Sequence, residues 1–554
     1  MSSSTGATSN KNHRFDAVPA VKTLADIYPS AGALGEQGAR WDRLASAFAD
    51  IYGRAPAFVA RAPGRVNIIG DHVDHQGFSC LPAAIEKDVL MAVSVVPALD
   101  AADPIEFYLA NTRERFKPVT LTAPSVLETD GIELIHHDEG AQRWGNYFAV
   151  AWKGLHSHLP PSVLSASSRP RTINILVDGT IPPESSLSSS AAMTVCSSLV
   201  ILEAFGARSL VDRTEMAEVA IESERLVGVN SGGMDQAASI FGVPSHALHI
   251  AFKPKLLATP TALPRIDPPM QFVIVNTLVV SDKKVTGPIH YNLRTVELRM
   301  ASRILQRRLA LALPSFTTAS GSVEEDVTVR SIFKAWLAQQ QQGQASTDEG
   351  VGDETEEQLS AFAKVALDHL PEGAVTRAQV EEATGLSGEA YDKEFLQRFP
   401  IRADTFKLRA RVSHVLSESA RVLAFKSVCA QAAGSSSSGA EAYKQLAELM
   451  NASHASLRDE FGSSCAELDE IVDIALKNGA WAARQTGAGW GGSAVTLVPQ
   501  PDVARFIEAV RTGYYAKRYS SSADPSSPQY KSAEELESAV LVSEPAGGAC
   551  IYHV

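Results

Sequence analysis

Four stretches dense in glycine, serine and charged residues interrupt the apolar pattern of this chain, and they dictate its fold class. The stretches lie at residues 61–77, 179–192, 223–236 and 486–493. Beside them, 89–96 and 172–177 are apolar runs typical of strands, whereas 188–205 keeps an apolar face at helical spacing. The sequence shows no repeat of fixed period. It therefore predicts a mixed α+β fold whose loops carry the chemistry.

Length, charge and cysteine content narrow the class of protein further. The chain has 554 residues, more than one hydrophobic core usually supports. Its net charge of −13 argues against a protein that binds nucleic acid or an anionic membrane. The five cysteines are scattered and never form a CxxC pair, which indicates free thiols. No apolar signal segment or membrane span is recognisable, so we expect a soluble, cytoplasmic protein.

Several segments have the composition of chain that does not pack into a core. Residues 339–358 are rich in Gln and acidic, 434–439 are almost all Ser and Gly, and 520–528 are rich in Ser and Pro. Such compositions cannot bury enough apolar surface to offset the entropy lost on ordering. We expect surface insertions at these three places and disorder over residues 1–20.

The first stretch, 61–77, runs from a predicted strand at 58–61 through a loop at Pro63–Gly64. Within about ten positions it carries Arg65, Asp71, His72 and Asp74. Sugar recognition needs such groups, because each hydroxyl both donates and accepts and carboxylates accept at fixed angles. A solvated polar turn and a divalent metal site remain alternatives on residue types alone.

The second stretch, 179–192, places three serines, Ser188 to Ser190, at the start of a predicted helix. Free N–H groups at a helix start bind anions, and serine hydroxyls can reach Mg²⁺. The alternative is an ordinary helix cap with surplus serines.

The third stretch, 223–236, has Glu224 near a helix end and Asp235 at the start of the next helix, after a glycine pair. The helix dipole favours an ionised acid there, and the glycines let a ligand approach closely. Asp235 could equally be a simple helix cap.

The fourth stretch fits the pattern GxGxxG through Gly487, Gly489 and Gly492. A dinucleotide site requires a strand before this pattern and a helix after it. Here a short strand-like run at 494–498 follows, so we reject that interpretation. The chain has no Walker A pattern either.

In their order and spacing these motifs resemble those of galactokinases, from about Phe15 to the C-terminus. The first is similar to the galactokinase signature, the second resembles the phosphate loop of the GHMP kinases, and the fourth resembles the C-terminal glycine motif of that superfamily. Residues 276–294 resemble the fungal type. The resemblance implies a two-domain GHMP kinase fold, with domains at 21–265 and 266–554 and the active site at their interface.

The resemblance also implies roles for individual residues. Asp235 would accept or orient the proton of the anomeric hydroxyl, and Arg65 would balance its charge. The implied sugar pocket consists of Arg65, Asp71, His72, Asp74, Asp235 and Tyr291. The implied nucleotide contacts are Trp144, Glu184, Ser186, Ser188, Ser189, Ser190, Asp282, Lys283 and Lys284. Ser188 or Ser189, together with Glu224, would hold Mg²⁺.

The implied reaction is transfer of the γ-phosphoryl group of ATP to the anomeric hydroxyl of galactose, with Mg²⁺. The resemblance further implies a monomer and a regulatory protein as a partner. Two alternatives stay open. One is a non-catalytic regulator that binds galactose and ATP; such proteins lose two residues in the Ser-Ser-Ala run, which is complete here at 188–192. The other is an N-acetylgalactosamine kinase.

The sequence departs from the family pattern at three places. Asp71 stands where galactokinases usually have Glu, and His75 where they usually have Tyr. Residues 184–186 read Glu-Ser-Ser where the phosphate loop usually reads Gly-x-Gly. A carboxylate and an added Cβ beside an anionic ligand predict weaker ATP binding than in a Gly-x-Gly relative.

Overall fold

The computed structural model describes most of the chain. The described residues are 16–28, 31–98, 103–123, 131–135, 140–165, 169–183, 185–226, 232–279, 287–317, 323–340, 354–397, 400–433, 439–524 and 526–554. Some sequence predictions lie outside them: Glu184, Asp282, Lys283, Lys284, residues 1–15, most of 339–358, and 434–438.

The larger sheet has seven strands, in the order β1-β17-β2-β3-β6-β4-β5. Its strands are β1 Ala20–Val21, β2 Phe58–Ile69, β3 Leu81–Pro97, β4 Ile105–Asn111, β5 Val119–Ala123, β6 Pro170–Gly179 and β17 Cys550–His553. Most neighbours in this sheet are antiparallel, but β4 pairs with β6, and β1 with β17, in parallel. The length of β2 and β3 lets them extend from the core to the functional loops.

Helices cover both faces of this sheet. They are α1 Ala31–Tyr52, α2 Asn146–His156, α3 Pro161–Leu164, α4 Ser189–Ala204, α5 Arg213–Arg225 and α6 Met234–Phe241. Trp41, Leu44 and Phe48 of α1 pack on one face, as their helical spacing predicts. On the other face, α4 is buried along nearly its whole length. Its many small and branched apolar residues suit a helix enclosed by sheet and neighbouring helices.

The smaller sheet has strand order β14-β15-β9-β16, and each neighbouring pair is antiparallel. Its strands are β9 Met270–Asn276, β14 Ala482–Thr486, β15 Ser493–Pro499 and β16 Val540–Ser543. The short pairs are β7 His246–Ala251 with β8 Leu257–Ala262, β10 Ser315–Thr317 with β11 Val323–Glu325, and β12 Val375–Thr376 with β13 Thr405–Phe406. The glycine-rich turn at 487–492 joins β14 to β15, so it lies at one end of this sheet.

A second group of helices packs on the smaller sheet, on β2 and on one another. They are α7 Tyr291–Arg308, α8 Val329–Gln340, α9 Glu356–Asp368, α10 Arg377–Thr384, α11 Glu389–Tyr391, α12 Leu408–Ala432, α13 Gly439–Ser456, α14 Ala466–Lys477, α15 Val503–Val510, α16 Ala516–Arg518 and α17 Ala533–Ser538. The predicted mixed α+β class is confirmed. None of the helices in the described ranges combines the length and apolarity that crossing a bilayer demands.

Two predictions about the chain ends need correction. Val18 is buried, and Ala20 pairs with Ile551, so the predicted disorder of 1–20 is wrong for its last residues. The final strand β17 leaves the second domain and pairs with β2 of the first sheet, with Ile551 opposite Ala60. The predicted C-terminal domain at 266–554 therefore does not contain its own last strand.

A further correction concerns the predicted loop at Pro63–Gly64. Strand β2 continues through it to Ile69, with a shift of register against β3 between Pro63 and Arg65. Gly64 is required there because an added Cβ would lie 2.6 Å from the Leu187 carbonyl oxygen. The phosphate loop thus crosses directly over β2 at its glycine.

Candidate active site

An ion pair between β2 and α6 lies at the centre of the site. The Nε and Nη2 atoms of Arg65 donate to Oδ1 of Asp235 at 2.9 and 2.8 Å. Its Nη1 donates to the carbonyl oxygen of Ser186 at 2.5 Å. Arg65 is buried, whereas the Asp235 side chain is 21% exposed. One guanidinium therefore joins the phosphate loop to a carboxylate that a ligand can reach.

The first turn of α6 sets the position of Asp235. The helix begins at Met234, after Gly233 at φ 107°, a conformation that favours glycine. At Gly232 an added Cβ would lie 2.5 Å from the Asp74 carboxylate. The glycine pair therefore lets the turn before α6 approach the loop that carries Asp74.

Asp74 and Tyr291 share the electrostatic environment of Asp235. Burial raises the pKa of Asp74 to about 6, and the negative charge of Asp235 adds to the effect. Burial also raises the pKa of Tyr291 well above its ordinary value, and both carboxylates contribute. Asp74 is half-buried, so it remains accessible from the site. The structure brings together three of the predicted sugar contacts.

His72 and Asp71 are held by the second domain. The imidazole of His72 stacks on Phe461 at 4.3 Å between ring centroids, and its Nε2 lies 3.0 Å from the Ala488 carbonyl oxygen, so this nitrogen carries the proton. Oδ1 of Asp71 accepts from Asn67 and from the backbone N–H of Gly487, at 2.8 and 3.1 Å. Its Oδ2 accepts from Arg484 at 2.7 Å. Protein donors thus engage both oxygens of Asp71.

The phosphate loop lies beside the Arg65 pair and ends in α4. Ser186 and Ser188 have φ angles of 61° and 60°, in the left-handed region. Ser189 is the first residue of α4 and Ser190 the second, as the sequence predicts. The hydroxyl of Ser188 is buried and has no hydrogen-bond partner within the described residues. It is available to a bound group.

Glu224 of α5 is buried behind this loop. It accepts from the side-chain amide of Gln236 at 2.5 Å, and the Thr194 hydroxyl lies 3.4 Å from its other oxygen. Across the described ranges, no three His, Cys, Asp or Glu side chains gather as metal ligands. Mg²⁺ commonly uses one or two carboxylates together with phosphate oxygens and water. The unpartnered Ser188 hydroxyl and Glu224 fit such a sparse protein contribution.

The glycine-rich turn 487–492 contacts both loops. A Cβ on Gly492 would lie 2.0 Å from the Ser186 hydroxyl oxygen, and one on Gly487 would lie 3.0 Å from that residue. The Ser493 hydroxyl donates to the Ser185 carbonyl oxygen at 2.7 Å. The turn is therefore packed against the phosphate loop (residues 179–192) on one side. On the other side it is packed against the loop that ends the first stretch, residues 70–77, which we call the sugar-signature loop.

Trp144 occupies a different environment. It is buried in the core of the first domain, packs edge-on against Phe116, and donates its indole N–H to the Lys117 carbonyl oxygen at 2.9 Å. Its predicted contact with the nucleotide stays a prediction.

Sequence analysis missed the residues that hold the signature loop from outside. They are His414, Glu418, Arg484 and Thr486, and all are buried. One signal was present: the run Arg484-Gln485-Thr486 places three polar residues in a row immediately before the glycine motif. A strand with no apolar face at that point indicates a buried polar contact.

The comparisons with known proteins agree with this arrangement. Residues 46–95 match the model of the galactokinase galactose-binding signature, 146–243 that of the GHMP kinase N-terminal domain, and 433–516 that of the GHMP kinase C-terminal region. A galactokinase of Schizosaccharomyces pombe is 35% identical over 93% of this chain and 96% of its own length. A galactokinase of Saccharomyces cerevisiae is 34% identical over 92% and 93%.

A solved structure shares the fold. It is the structure of Lactococcus lactis galactokinase complexed with galactose. The match covers 92% of this chain and 99% of that one, with a TM-score of 0.59 and 22% sequence identity. The mixed architecture described above is thus that of a GHMP kinase.

Proposed function

This chain belongs to the galactokinase family, and on that premise we propose how its own residues transfer the γ-phosphoryl group of ATP to the anomeric hydroxyl of galactose. The protein is an ATP-dependent sugar kinase. One observation carries the proposal: the Arg65 guanidinium donates both to Asp235 and to the Ser186 carbonyl of the phosphate loop. Arg65 therefore connects the carboxylate that activates the sugar hydroxyl with the loop that binds the phosphates.

Asp235 accepts the proton of the anomeric hydroxyl as the sugar oxygen forms its bond to the γ-phosphorus. The bond to the β,γ-bridging oxygen breaks, and ADP leaves. Arg65 keeps Asp235 oriented and places a positive charge beside the transferred group. Such reactions depend mainly on positioning and on electrostatic stabilisation of the spread negative charge.

Asp74, Tyr291 and His72 line the sugar side of the site. Asp74 accepts hydrogen bonds from sugar hydroxyls, and the Tyr291 hydroxyl donates or accepts beside it. Asp71 contributes through the loop, because Asn67, Gly487 and Arg484 already engage its carboxylate.

The start of α4 binds the phosphates of ATP. The N–H groups of Ser189 and Ser190 and the hydroxyl of Ser188 lie where the helix dipole favours anions. Ser188 or Ser189, together with Glu224, would hold Mg²⁺, which would neutralise phosphate charge when bound. Further proposed nucleotide contacts are Trp144, Glu184, Ser186, Asp282, Lys283 and Lys284. No support exists for the non-catalytic regulator or for the N-acetylgalactosamine kinase, since the relatives reported above are galactokinases.

The variant Asp235→Asn tests the chemical step. General-base assistance typically contributes about 10²–10⁴-fold, so kcat should fall by that factor while galactose binding measured by calorimetry persists. The matched control is Asp473→Asn, which removes an exposed carboxylate of α14 and should leave kcat unchanged. An Asp235→Asn enzyme that keeps more than about a tenth of the wild-type kcat contradicts the assignment.

A further inference from the structure

The loop that carries the predicted sugar contacts is held from the other domain at residues 70–72. Glu418 accepts from the backbone N–H of Gly70 at 2.8 Å, and His414 Nε2 lies 3.1 Å from the Asp71 carbonyl oxygen. The Ala488 carbonyl accepts from His72. Three consecutive residues of the loop thus have partners on α12 or on the glycine-rich turn.

Arg484 makes the most extensive of these contacts. Its Nη1 donates to the carbonyl oxygens of Asn67 and Ile68 at 3.0 and 3.1 Å, and its Nη2 donates to Asp71 at 2.7 Å. Its Nε donates to the hydroxyl of Ser453 at 3.1 Å. The side chain is completely buried. A planar guanidinium presents five N–H donors in a rigid fork, a geometry that the three donors of an ammonium group do not reproduce.

Two buried carboxylates keep Arg484 in place. Its Nη2 atom lies 2.7 Å from Oδ2 of Asp71 and 3.7 Å from Oε1 of Glu418. Glu418 is itself fixed by Arg421 at 2.8 Å and by the Ser453 hydroxyl at 2.6 Å. The guanidinium of Arg484 is therefore held in place by residues of the second domain as well as by the loop.

The loop needs such a hold because its own conformation is unfavourable. His72 has a φ of 62°, which costs a non-glycine residue free energy and persists only where the surroundings enforce it. Asp74 follows two residues later, in a short 3₁₀ turn. Backbone contacts at 67–71 therefore determine where both side chains point.

We propose that Arg484 is a positioning residue for sugar recognition: from the second domain it sets the conformation of residues 67–74, and so places His72 and Asp74 for galactose without touching the sugar. The inference rests on the proposed function. A preorganised loop binds more tightly, because less ordering remains to be done on binding. Loosening it should weaken galactose binding and leave ATP binding unchanged.

The test is Arg484→Lys, which keeps the positive charge between Asp71 and Glu418 but removes the fork. We expect the KM for galactose to rise about tenfold, with the KM for ATP within about twofold of wild type and kcat at saturating galactose little changed. The matched control is Arg303→Lys, which makes the same change at an arginine of α7 that pairs with Glu394 and Glu325, away from the loop. Its galactose KM should stay at the wild-type value.

A second variant covers the case in which Arg484→Lys does not fold. The Thr486 hydroxyl accepts from the Asn67 N–H at 2.8 Å and lies 3.1 Å from the Asn67 carbonyl oxygen. Thr486→Val removes both contacts at the same loop and should raise the galactose KM about threefold, again without changing the KM for ATP.

Three results overturn the proposal. They are an unchanged galactose KM in folded Arg484→Lys or Thr486→Val, an equal rise of the KM for ATP, and an equal effect in the control Arg303→Lys. A purely structural role would lower the melting temperature and the amount of folded enzyme without separating the two KM values. If the wild-type enzyme does not phosphorylate galactose, the proposed function fails. If it does and the variants match it, only the role of Arg484 fails.

Discussion

Replacing Asp74 with asparagine should stabilise the ligand-free protein and weaken its binding of galactose at the same time. Burial, together with the charge of Asp235, raises the pKa of Asp74 from 3.8 to about 6. Two units correspond to about 3 kcal/mol of unfavourable free energy when the group is ionised. Because the side chain is only half-buried, solvent screens part of this cost. We expect Asp74→Asn to raise the free energy of unfolding by about 1–2 kcal/mol near neutral pH.

The pH dependence follows from the direction of the shift. A carboxyl group whose pKa is higher in the folded than in the unfolded protein destabilises the fold only when ionised. The cost is therefore absent below pH 3.8 and complete above about pH 6. The advantage of Asp74→Asn should be full at about pH 8 and vanish towards about pH 4. Urea unfolding of both proteins across this range, followed by tryptophan fluorescence, measures it.

Galactose binding should change in the opposite direction. A neutral asparagine does not replace a charged acceptor, and losing one costs about 1.5–3 kcal/mol, or about 10–150-fold in Kd. Calorimetry with galactose checks this at about pH 8, where wild-type Asp74 is ionised. A variant no more stable than wild type at that pH, or a stability gain that does not vary with pH, refutes the electrostatic reasoning. Unchanged galactose affinity refutes the role of Asp74 in recognition.

Two further predictions concern the phosphate loop and the N-terminal segment. Glu184→Gly combined with Ser186→Gly should lower the KM for ATP several-fold in steady-state kinetics and leave the KM for galactose unchanged. The reason is that Ser186 has a φ of 61°, a conformation that glycine adopts without strain. A KM for ATP that is unchanged or higher contradicts this prediction. Tyr28→Phe should lower the free energy of unfolding, measured in urea, by about 1.5–3 kcal/mol without altering either KM. The Tyr28 hydroxyl donates to the buried carboxylate of Asp88 at 2.8 Å, and the variant loses this hydrogen bond. An unchanged midpoint of urea unfolding contradicts the prediction.

Short sequence patterns predicted those parts of the site whose structure is determined by residues close together in the chain. The starts of the helices at Ser189 and Met234 follow from a serine run and a glycine pair, which act within one turn of chain. The strand after Gly492 follows from a short run closed by Pro499, and it correctly excluded a dinucleotide fold. Where the neighbouring residues determine the structure, the sequence was sufficient.

Contacts between distant segments could not be predicted in the same way. The loop expected at Pro63–Gly64 is a strand, because the phosphate loop crosses it and pairing with β3 continues past the crossing. The predicted sugar contact of Asp71 stays a prediction, but its partner Arg484 lies more than 400 positions later in the chain. No property of residues 61–77 alone reveals that partner, because the pairing depends on how the two domains pack.

Backbone strain marks the place where the domains meet. His72, Ser186, Ser188 and Trp490 all have positive φ angles, and each such residue costs about 1–2 kcal/mol relative to an ordinary conformation. The contacts that hold them come from across the interface: Ser186 lies against Gly492, and His72 donates to Ala488. Separating the domains would remove these contacts while the strain remained. The sugar-signature and phosphate loops therefore keep their observed conformations only when the two domains are packed together, which makes the glycine-rich turn part of both sites.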